Sequence, residues 1–216
     1  KKLPYSYDPS LFKKADADEF RALRTEFNLP QDSTIIAYVG RLTEEKGIRD
    51  FIDAIRLYHA DPSNAGKKTT FLIVGNGELK DQIPQDLVQF MPALPHDQVG
   101  KLIRALDVLV LPSRTRKNWK EQFGRILVEA WASGAAMIGS DSGEIPNLIR
   151  LTQGGLVFRE QDPNDLAQQL KQITDSPERL KEYKLQGNEY VTRHFTHEAV
   201  AKYMAETMRE FLKNQV

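Results

Sequence analysis

The chain of 216 residues contains no cysteine, which excludes a disulfide-linked scaffold and any zinc site built from thiolates. Its 30 Lys and Arg residues balance 30 Asp and Glu residues, so overall charge does not favour a general nucleic-acid-binding protein. No apolar run approaches the roughly 20 residues of a membrane span, and no signal peptide is evident. These absences are compatible with a cytoplasmic protein. The sequence begins at Lys1 rather than Met, and we therefore expect a piece of a longer protein.

What is present predicts an α/β fold. Hydrophobic residues make up 40% of the chain, which is enough for a packed core. Short β-branched runs such as 34–39 alternate with segments of helical spacing, for example around 48–55. This alternation predicts right-handed crossovers into a parallel sheet with helices on both faces. Further strands are predicted at 71–74, 88–91, 107–111, 135–140 and 154–158, and helices at 16–28, 96–106, 165–174, 177–194 and 196–212.

Two glutamates eight positions apart, Glu121 and Glu129, frame a segment with apolar residues at helical spacing. On one helix they would lie about 12 Å apart along the axis. A glycosidase pair requires about 5–9.5 Å, so this spacing suits the two ends of one extended ligand instead. A helix starting near Phe123 would also offer free N–H groups to a diphosphate. Two solvated glutamates on an ordinary amphipathic helix are the alternative.

A second segment, residues 40–47, follows the first predicted strand. It carries Arg41 and Lys46 between two glycines and precedes a predicted helix. Cations between a strand end and a helix start can form an anion site. A surface loop with two solvated cations remains the alternative.

Together these segments resemble retaining glycosyltransferases of family GT4, which have the GT-B fold. Residues 40–47 match the G-R-L-x-x-x-K-G signature, and residues 121–129 match the E-x7-E motif. The resemblance implies that Arg41 and Lys46 clamp the donor diphosphate and stabilise the departing nucleotide. It also implies that Glu121 meets the hydroxyls of the donor sugar, and that Glu129 takes the ribose hydroxyls.

The resemblance implies further donor contacts along the chain. Residues 75–77 are similar to a family G-x-G loop, whereas Lys80 replaces the third glycine of a dinucleotide motif. A plain turn into a helix at Glu78 is the alternative. Residues 91–94 are expected to support the base through the backbone. The full set of implied donor-binding residues, besides the three catalytic candidates Arg41, Lys46 and Glu121, is Gly40, Gly75, Asn76, Gly77, Met91, Leu94, Ser113, Phe123, Gly124, Leu127 and Glu129.

The loop at 113–120 interleaves four cations with Trp119. Such a pattern can mark nucleic-acid or membrane contact. In a neutral chain we interpret it first as a loop beside the donor or acceptor, then as a solvated turn, and last as an RNA contact.

The resemblance covers almost the whole chain and matches the C-terminal, Rossmann-like half of a GT-B fold. It implies a nucleotide-sugar-binding domain at 1–194 and a C-terminal helix at 195–216 that crosses back to an N-terminal domain outside this sequence. The implied reaction transfers a sugar from a UDP-, GDP- or ADP-linked donor to an acceptor hydroxyl with retained configuration, without cofactor or metal. The implied setting is polysaccharide or glycoconjugate biosynthesis, and we expect the isolated chain to be inactive in transfer.

The expected partners are the donor and, through the N-terminal domain, an acceptor sugar or lipid-linked glycan. We expect no nucleic acid, and a peripheral membrane contact of the full-length protein stays open. Two alternatives remain. One is a sugar-nucleotide epimerase of GT-B shape, although the carboxylate and histidine set that it would need is not found. The other is a non-catalytic nucleotide-binding or assembly domain, which fold alone does not separate from an enzyme.

Overall fold

The computed structural model describes residues 5–213. Six strands form one sheet in the order β3-β2-β1-β4-β5-β6, and every neighbouring pair is parallel. The predicted α/β class with a parallel sheet is confirmed. The strands are β1 (Thr34–Val39), β2 (Thr69–Val74), β3 (Gln89–Met91), β4 (Val108–Leu111), β5 (Ala136–Ser140) and β6 (Gly155–Phe158).

Eight α-helices connect and flank these strands in the described part of the chain. Local sequence explains several of their starts. Asp16 accepts hydrogen bonds from two N–H groups of the first turn of α1, and α6 and α7 each have proline in the first turn. The helices are α1 (Ala17–Glu26), α2 (Ile48–Ala60), α3 (His96–Ile103), α4 (Arg125–Ala132), α5 (Ile145–Thr152), α6 (Pro163–Asp175), α7 (Pro177–His194) and α8 (His197–Lys213).

The core lies in two layers, one on each face of the sheet. In β1, Ile35 and Ala37 join the cluster that contains Trp131 of α4. The alternate residues Ile36 and Tyr38 join the cluster formed with α2 and α6. Successive strand residues point to opposite faces, so this division confirms helices on both sides and leaves the strand ends to carry a site.

Several predicted elements differ from the structure. Glu121 and Glu129 do not share a helix, because α4 begins at Arg125. Gly124, immediately before it, has φ +70°, a left-handed conformation that starts the helix after the loop. The alternative of a helix at Glu78 is wrong, since only a 3₁₀ turn at Lys80–Gln82 follows.

Helix α5 is an element that the sequence analysis did not assign. The predicted C-terminal helix is present as α8, and residues 1–4 and 214–216 of the two predicted segments lie outside the described residues.

Candidate functional site

The carboxyl ends of β1 and β2 lead into two glycine loops that touch each other. The N–H of Leu42 donates to the carbonyl oxygen of Asn76 over 2.9 Å. A Cβ at Gly75 would lie 1.9 Å from the oxygen of Gly40, and one at Gly77 would lie 2.4 Å from the oxygen of Leu42. Only glycine permits this approach. The predicted loop residues are therefore adjacent at the sheet edge where ligands bind in open α/β folds.

Lys46 and Glu121 form an ion pair beside this edge. The ammonium of Lys46 lies 2.8 Å from Oε2 of Glu121, and the hydroxyl of Ser113 donates to the same oxygen over 3.2 Å. The side chains of Lys46 and Glu121 are 19% and 14% exposed. The ammonium also stands 4.7 Å from the ring centroid of Trp119. Three predicted site residues thus meet although they come from two different loops.

Arg41 shares a cavity with this pair. The cavity has a volume of about 670 Å³, and both cations and Glu121 line it. The side chain of Arg41 is 66% exposed, and Glu45 approaches it to 3.5 Å. Its carbonyl oxygen accepts a hydrogen bond from the hydroxyl of Tyr38, whose pKa is raised by burial. The backbone of Arg41 is therefore anchored while its guanidinium faces solvent.

Glu129 lies on α4 and is only 7% exposed. Burial raises the pKa of its carboxyl group, because desolvation disfavours the charged form, and the nearby Arg125 and His96 oppose that shift. Nε of Arg125 lies 3.2 Å from Oε1 of Glu129. Glu129 does not line the cavity of Arg41 and Lys46, so it can hold only a different part of a ligand.

The other predicted site residues have separate surroundings. Leu127 is fully buried, Met91 and Leu94 pack at the edge of the core, and Phe123 lies 5.1 Å from the ring of Tyr5. Phe123 lines a second cavity of about 750 Å³ with residues of α5, α7 and α8.

The first N–H groups of α4 have no partner inside the helix. They begin at Arg125, two residues later than predicted.

One contact that sequence reasoning missed concerns Arg114. Its Nε and Nη2 atoms lie 2.7 and 2.5 Å from the two carboxylate oxygens of Asp50. Hydrogen bonding to that carboxylate raises the pKa of Arg114. Arg114 therefore ties its loop to α2 and does not line the cavity. No motif marks Asp50, because a buried carboxylate on a helix is recognised only in three dimensions.

Two kinds of feature are absent from the described residues. Across 5–213, no group of three or more His, Cys, Asp and Glu side chains is placed to hold a metal ion. No helix in the same range combines the length and apolar character that crossing a membrane requires.

Comparison with known proteins identifies the family. Residues 19–190 match the model of the family described as glycosyl transferases group 1. This match covers well over half of the chain, and the chain belongs to that family. The GT-B glycosyltransferase class indicated by residues 40–47 and 121–129 is thereby confirmed.

Two relatives show the extent of the similarity. A 2-deoxystreptamine glucosyltransferase from Streptomyces kanamyceticus is 28% identical over 202 residues, covering 89% of this chain and 50% of the relative. A D-inositol 3-phosphate glycosyltransferase from Catenulispora acidiphila is 29% identical over 186 residues, covering 80% and 43%. The chain thus spans half or less of the length of these relatives.

Solved structures show the same fold. The C-terminal domain of a group 1 glycosyl transferase from Francisella tularensis matches with TM-score 0.72 and 22% identity, over 88% of this chain and 99% of that one. Anabaena HepE, solved in complex with UDP, matches with TM-score 0.80 and 20% identity, over 97% and 57%. The Rossmann-like architecture of a GT-B C-terminal half is therefore confirmed.

Proposed function

We propose that this chain is the donor-binding domain of a glycosyltransferase that transfers a sugar from a nucleoside diphosphate sugar to an acceptor hydroxyl with retention. The observation that carries the proposal is the convergence of Arg41, Lys46 and Glu121 on one cavity at the carboxyl edge of the sheet. Two cations and a carboxylate there can meet a diphosphate and the sugar attached to it.

Arg41 and Lys46 are assigned to the diphosphate. As the bond to the sugar breaks, negative charge grows on the departing phosphate, and cations already in place stabilise it. The positive charges of Arg41 and Lys46 would take the role that a metal ion plays in other enzymes, so we propose that neither metal nor cofactor is needed. Lys46 is paired with Glu121 in this structure. Donor binding would transfer Lys46 to the phosphate and leave the carboxylate for a sugar hydroxyl.

Glu129 is assigned to the ribose. The ribose hydroxyls can donate hydrogen bonds to a carboxylate, and such hydrogen bonds are stronger where water is excluded. Its 7% exposure and its separation from the cavity of Lys46 suit the nucleoside end of the donor. Support for uracil as the base comes from Anabaena HepE, whose structure contains UDP.

Acceptor binding is assigned to an N-terminal domain of the full-length protein. On the exposed part of α8, Met208, Phe211 and Leu212 are each at least 60% exposed, and we propose that they pack against that domain. The names of the relatives refer to 2-deoxystreptamine and D-inositol 3-phosphate. Both compounds are hydroxylated rings, which supports transfer to an acceptor hydroxyl. A role in polysaccharide synthesis, a cytoplasmic location and inactivity of the isolated chain stay predictions.

Calorimetric titration of this chain with UDP and UDP-glucose in EDTA tests the assignment. Glu129→Ala should weaken both ligands alike, by about tenfold to hundredfold, because a hydrogen bond to a charged group is lost. Glu121→Ala should weaken UDP-glucose relative to UDP. Glu189→Ala, on an exposed position of α7, is the control.

Two results would contradict the proposal. Binding of UDP that appears only after Mg²⁺ is added would refute the metal-free site. Loss of UDP in Glu121→Ala as severe as in Glu129→Ala would refute the division between sugar and ribose. Binding without transfer by the full-length protein would favour the nucleotide-binding alternative.

A further inference from the structure

The loop between β4 and α4 contains a short hairpin, residues 116–120, called here the basic hairpin. The N–H of Arg116 donates to the oxygen of Trp119 over 2.7 Å, and the N–H of Trp119 donates back over 3.1 Å. Lys117 and Asn118 form the turn between them. The hairpin is therefore a closed unit with defined geometry.

Contacts at its base fix the orientation of the basic hairpin. Arg114 is held by both carboxylate oxygens of Asp50. On the other side, the hydroxyls of Thr115 and Ser142 lie 2.9 Å apart, and the N–H of Thr115 donates to Glu160. Binding to a hairpin that is already ordered loses less conformational entropy than binding to a mobile loop.

The two lysines of the basic hairpin lack acidic partners in the described chain, whereas its arginine has one. Arg116 forms an ion pair with Glu44 at 3.6 Å. For Lys117 and Lys120, no carboxylate of the described chain lies within 4.0 Å of the ammonium group. All three line the cavity of the candidate site. Of the five cations around this cavity, Lys46 pairs with Glu121, Arg41 with Glu45 and Arg116 with Glu44. The two remaining cations, Lys117 and Lys120, have no acidic partner in the described chain.

The proposed donor does not account for Lys117 and Lys120. Each phosphate of a nucleotide-sugar diphosphate carries one negative charge, and Arg41 and Lys46 match them. Lys117 and Lys120, two unpaired cations on the same short hairpin, repel each other unless an anion joins them. A second anionic group therefore fits this cavity beside the donor.

The position of the hairpin assigns that group to the acceptor. Lys120 adjoins Glu121 in sequence, and Glu121 is the residue proposed to hold the donor sugar. Glu129, proposed for the ribose, does not line this cavity. The two unpaired lysines therefore flank the sugar end, where an acceptor hydroxyl must approach.

We propose that the basic hairpin binds a phosphate group on the acceptor, through Lys117, Lys120 and Arg116. This inference rests on the proposed function. It adds that the acceptor is anionic and that part of acceptor specificity lies in this domain. A concave cavity fits a compact phosphate better than a flat membrane surface. Soluble sugar phosphates and lipid phosphates share this chemistry.

The test is calorimetric titration of the UDP-saturated chain with glucose 6-phosphate, with glucose as its neutral match and geranyl phosphate as the lipid-type probe. The Lys117→Gln/Lys120→Gln variant should bind the preferred phosphate about five- to tenfold more weakly. Lys13→Gln/Lys181→Gln removes the same charge from exposed positions elsewhere and should change binding by less than about twofold. Binding should weaken as salt increases.

The preferred phosphate distinguishes a soluble from a lipid-linked acceptor, and either supports the inference. Failure of both phosphates to bind better than glucose would overturn it, as would equal weakening in the control variant. Equal weakening of UDP by Lys117→Gln/Lys120→Gln would place the hairpin in the donor site. Phosphatidylserine vesicles are titrated as a further probe; if Lys117→Gln/Lys120→Gln weakens binding to these vesicles but to neither phosphate, the hairpin is a membrane contact and the inference is wrong.

If the proposed donor-binding function is wrong, these titrations give a result that differs from all of the above. If UDP does not bind but glucose 6-phosphate binds and depends on Lys117 and Lys120, the phosphate site stands and the donor assignment is wrong.

Discussion

At position 187, in the middle of α7, a glycine faces the indole of Trp131. A Cβ there would lie 2.2 Å from Cδ1 and 2.8 Å from Nε1 of the ring. Trp131 is fully buried, and its Nε1 donates to the oxygen of Gly154 over 2.9 Å. Gly187→Ala therefore requires the indole or α7 to move, and the movement strains the support of α4, which carries Glu129.

The expected loss of stability follows from opposing terms. Alanine in place of glycine inside a helix stabilises by about 1 kcal/mol. Overpacking a filled core costs about 1–3 kcal/mol. Displacing the indole also leaves a buried N–H unpaired, at about 1–3 kcal/mol. We therefore expect Gly187→Ala to lower the free energy of unfolding by about 1–5 kcal/mol, the opposite sign to helix propensity alone.

Urea unfolding of the parent and the variant measures the effect. The dependence of the free energy of unfolding on urea concentration is compared between the two proteins, because a change in this slope would indicate a change in compactness. Glu189→Ala, exposed on the same helix, should change stability by less than about 0.5 kcal/mol. Combining Gly187→Ala with Trp131→Leu should cost less than the sum of the single changes, because the clash is removed. A Gly187→Ala protein as stable as the parent would refute the steric argument.

Three further predictions concern the site. Because burial raises the pKa of Glu129, its contribution to stability falls as pH rises from the ordinary glutamate pKa of about 4.3 through the raised pKa of the folded state. Glu129→Gln should therefore gain stability relative to the parent as pH rises through that window in urea unfolding, and a relative loss would contradict this. Arg41→Ala and Lys46→Ala should each raise the activation free energy of the full-length enzyme by about 2.7–4 kcal/mol, which lowers kcat by about 100- to 1000-fold. An effect on KM alone would refute leaving-group stabilisation. Gly77→Ala, at φ +156° with a backbone oxygen 2.4 Å from the new Cβ, should lose more stability than Gly66→Ala, at φ +79° with open space; equal losses would show that strain alone matters.

The sheet could be predicted from sequence because its strands are short apolar runs. The prediction of 34–39 agrees with β1, and 177–194 agrees with α7. Parallel strands bring their carboxyl ends to the same edge of a sheet. The proximity of the two glycine segments therefore also follows from their positions directly after two strands. The roles of the residues in these segments stay predictions.

Other features depended on conformation that sequence does not specify. Helical spacing placed Glu121 and Glu129 on one helix, but the left-handed Gly124 starts that helix only at Arg125. The pair of Lys46 with Glu121 joins residues 75 positions apart. It depends on how two loops fold against each other, which periodicity does not describe.

The contact between the two glycine loops has a consequence for protein engineering. Because Gly75 and Gly77 lie against the backbone of Gly40 and Leu42, a side chain introduced in one loop displaces the main chain of the other. Libraries that randomise one loop alone will sample mostly collapsed or displaced sites. To change donor preference, residues 40–47 and 75–79 are therefore best replaced together, with both loops taken from the same family member.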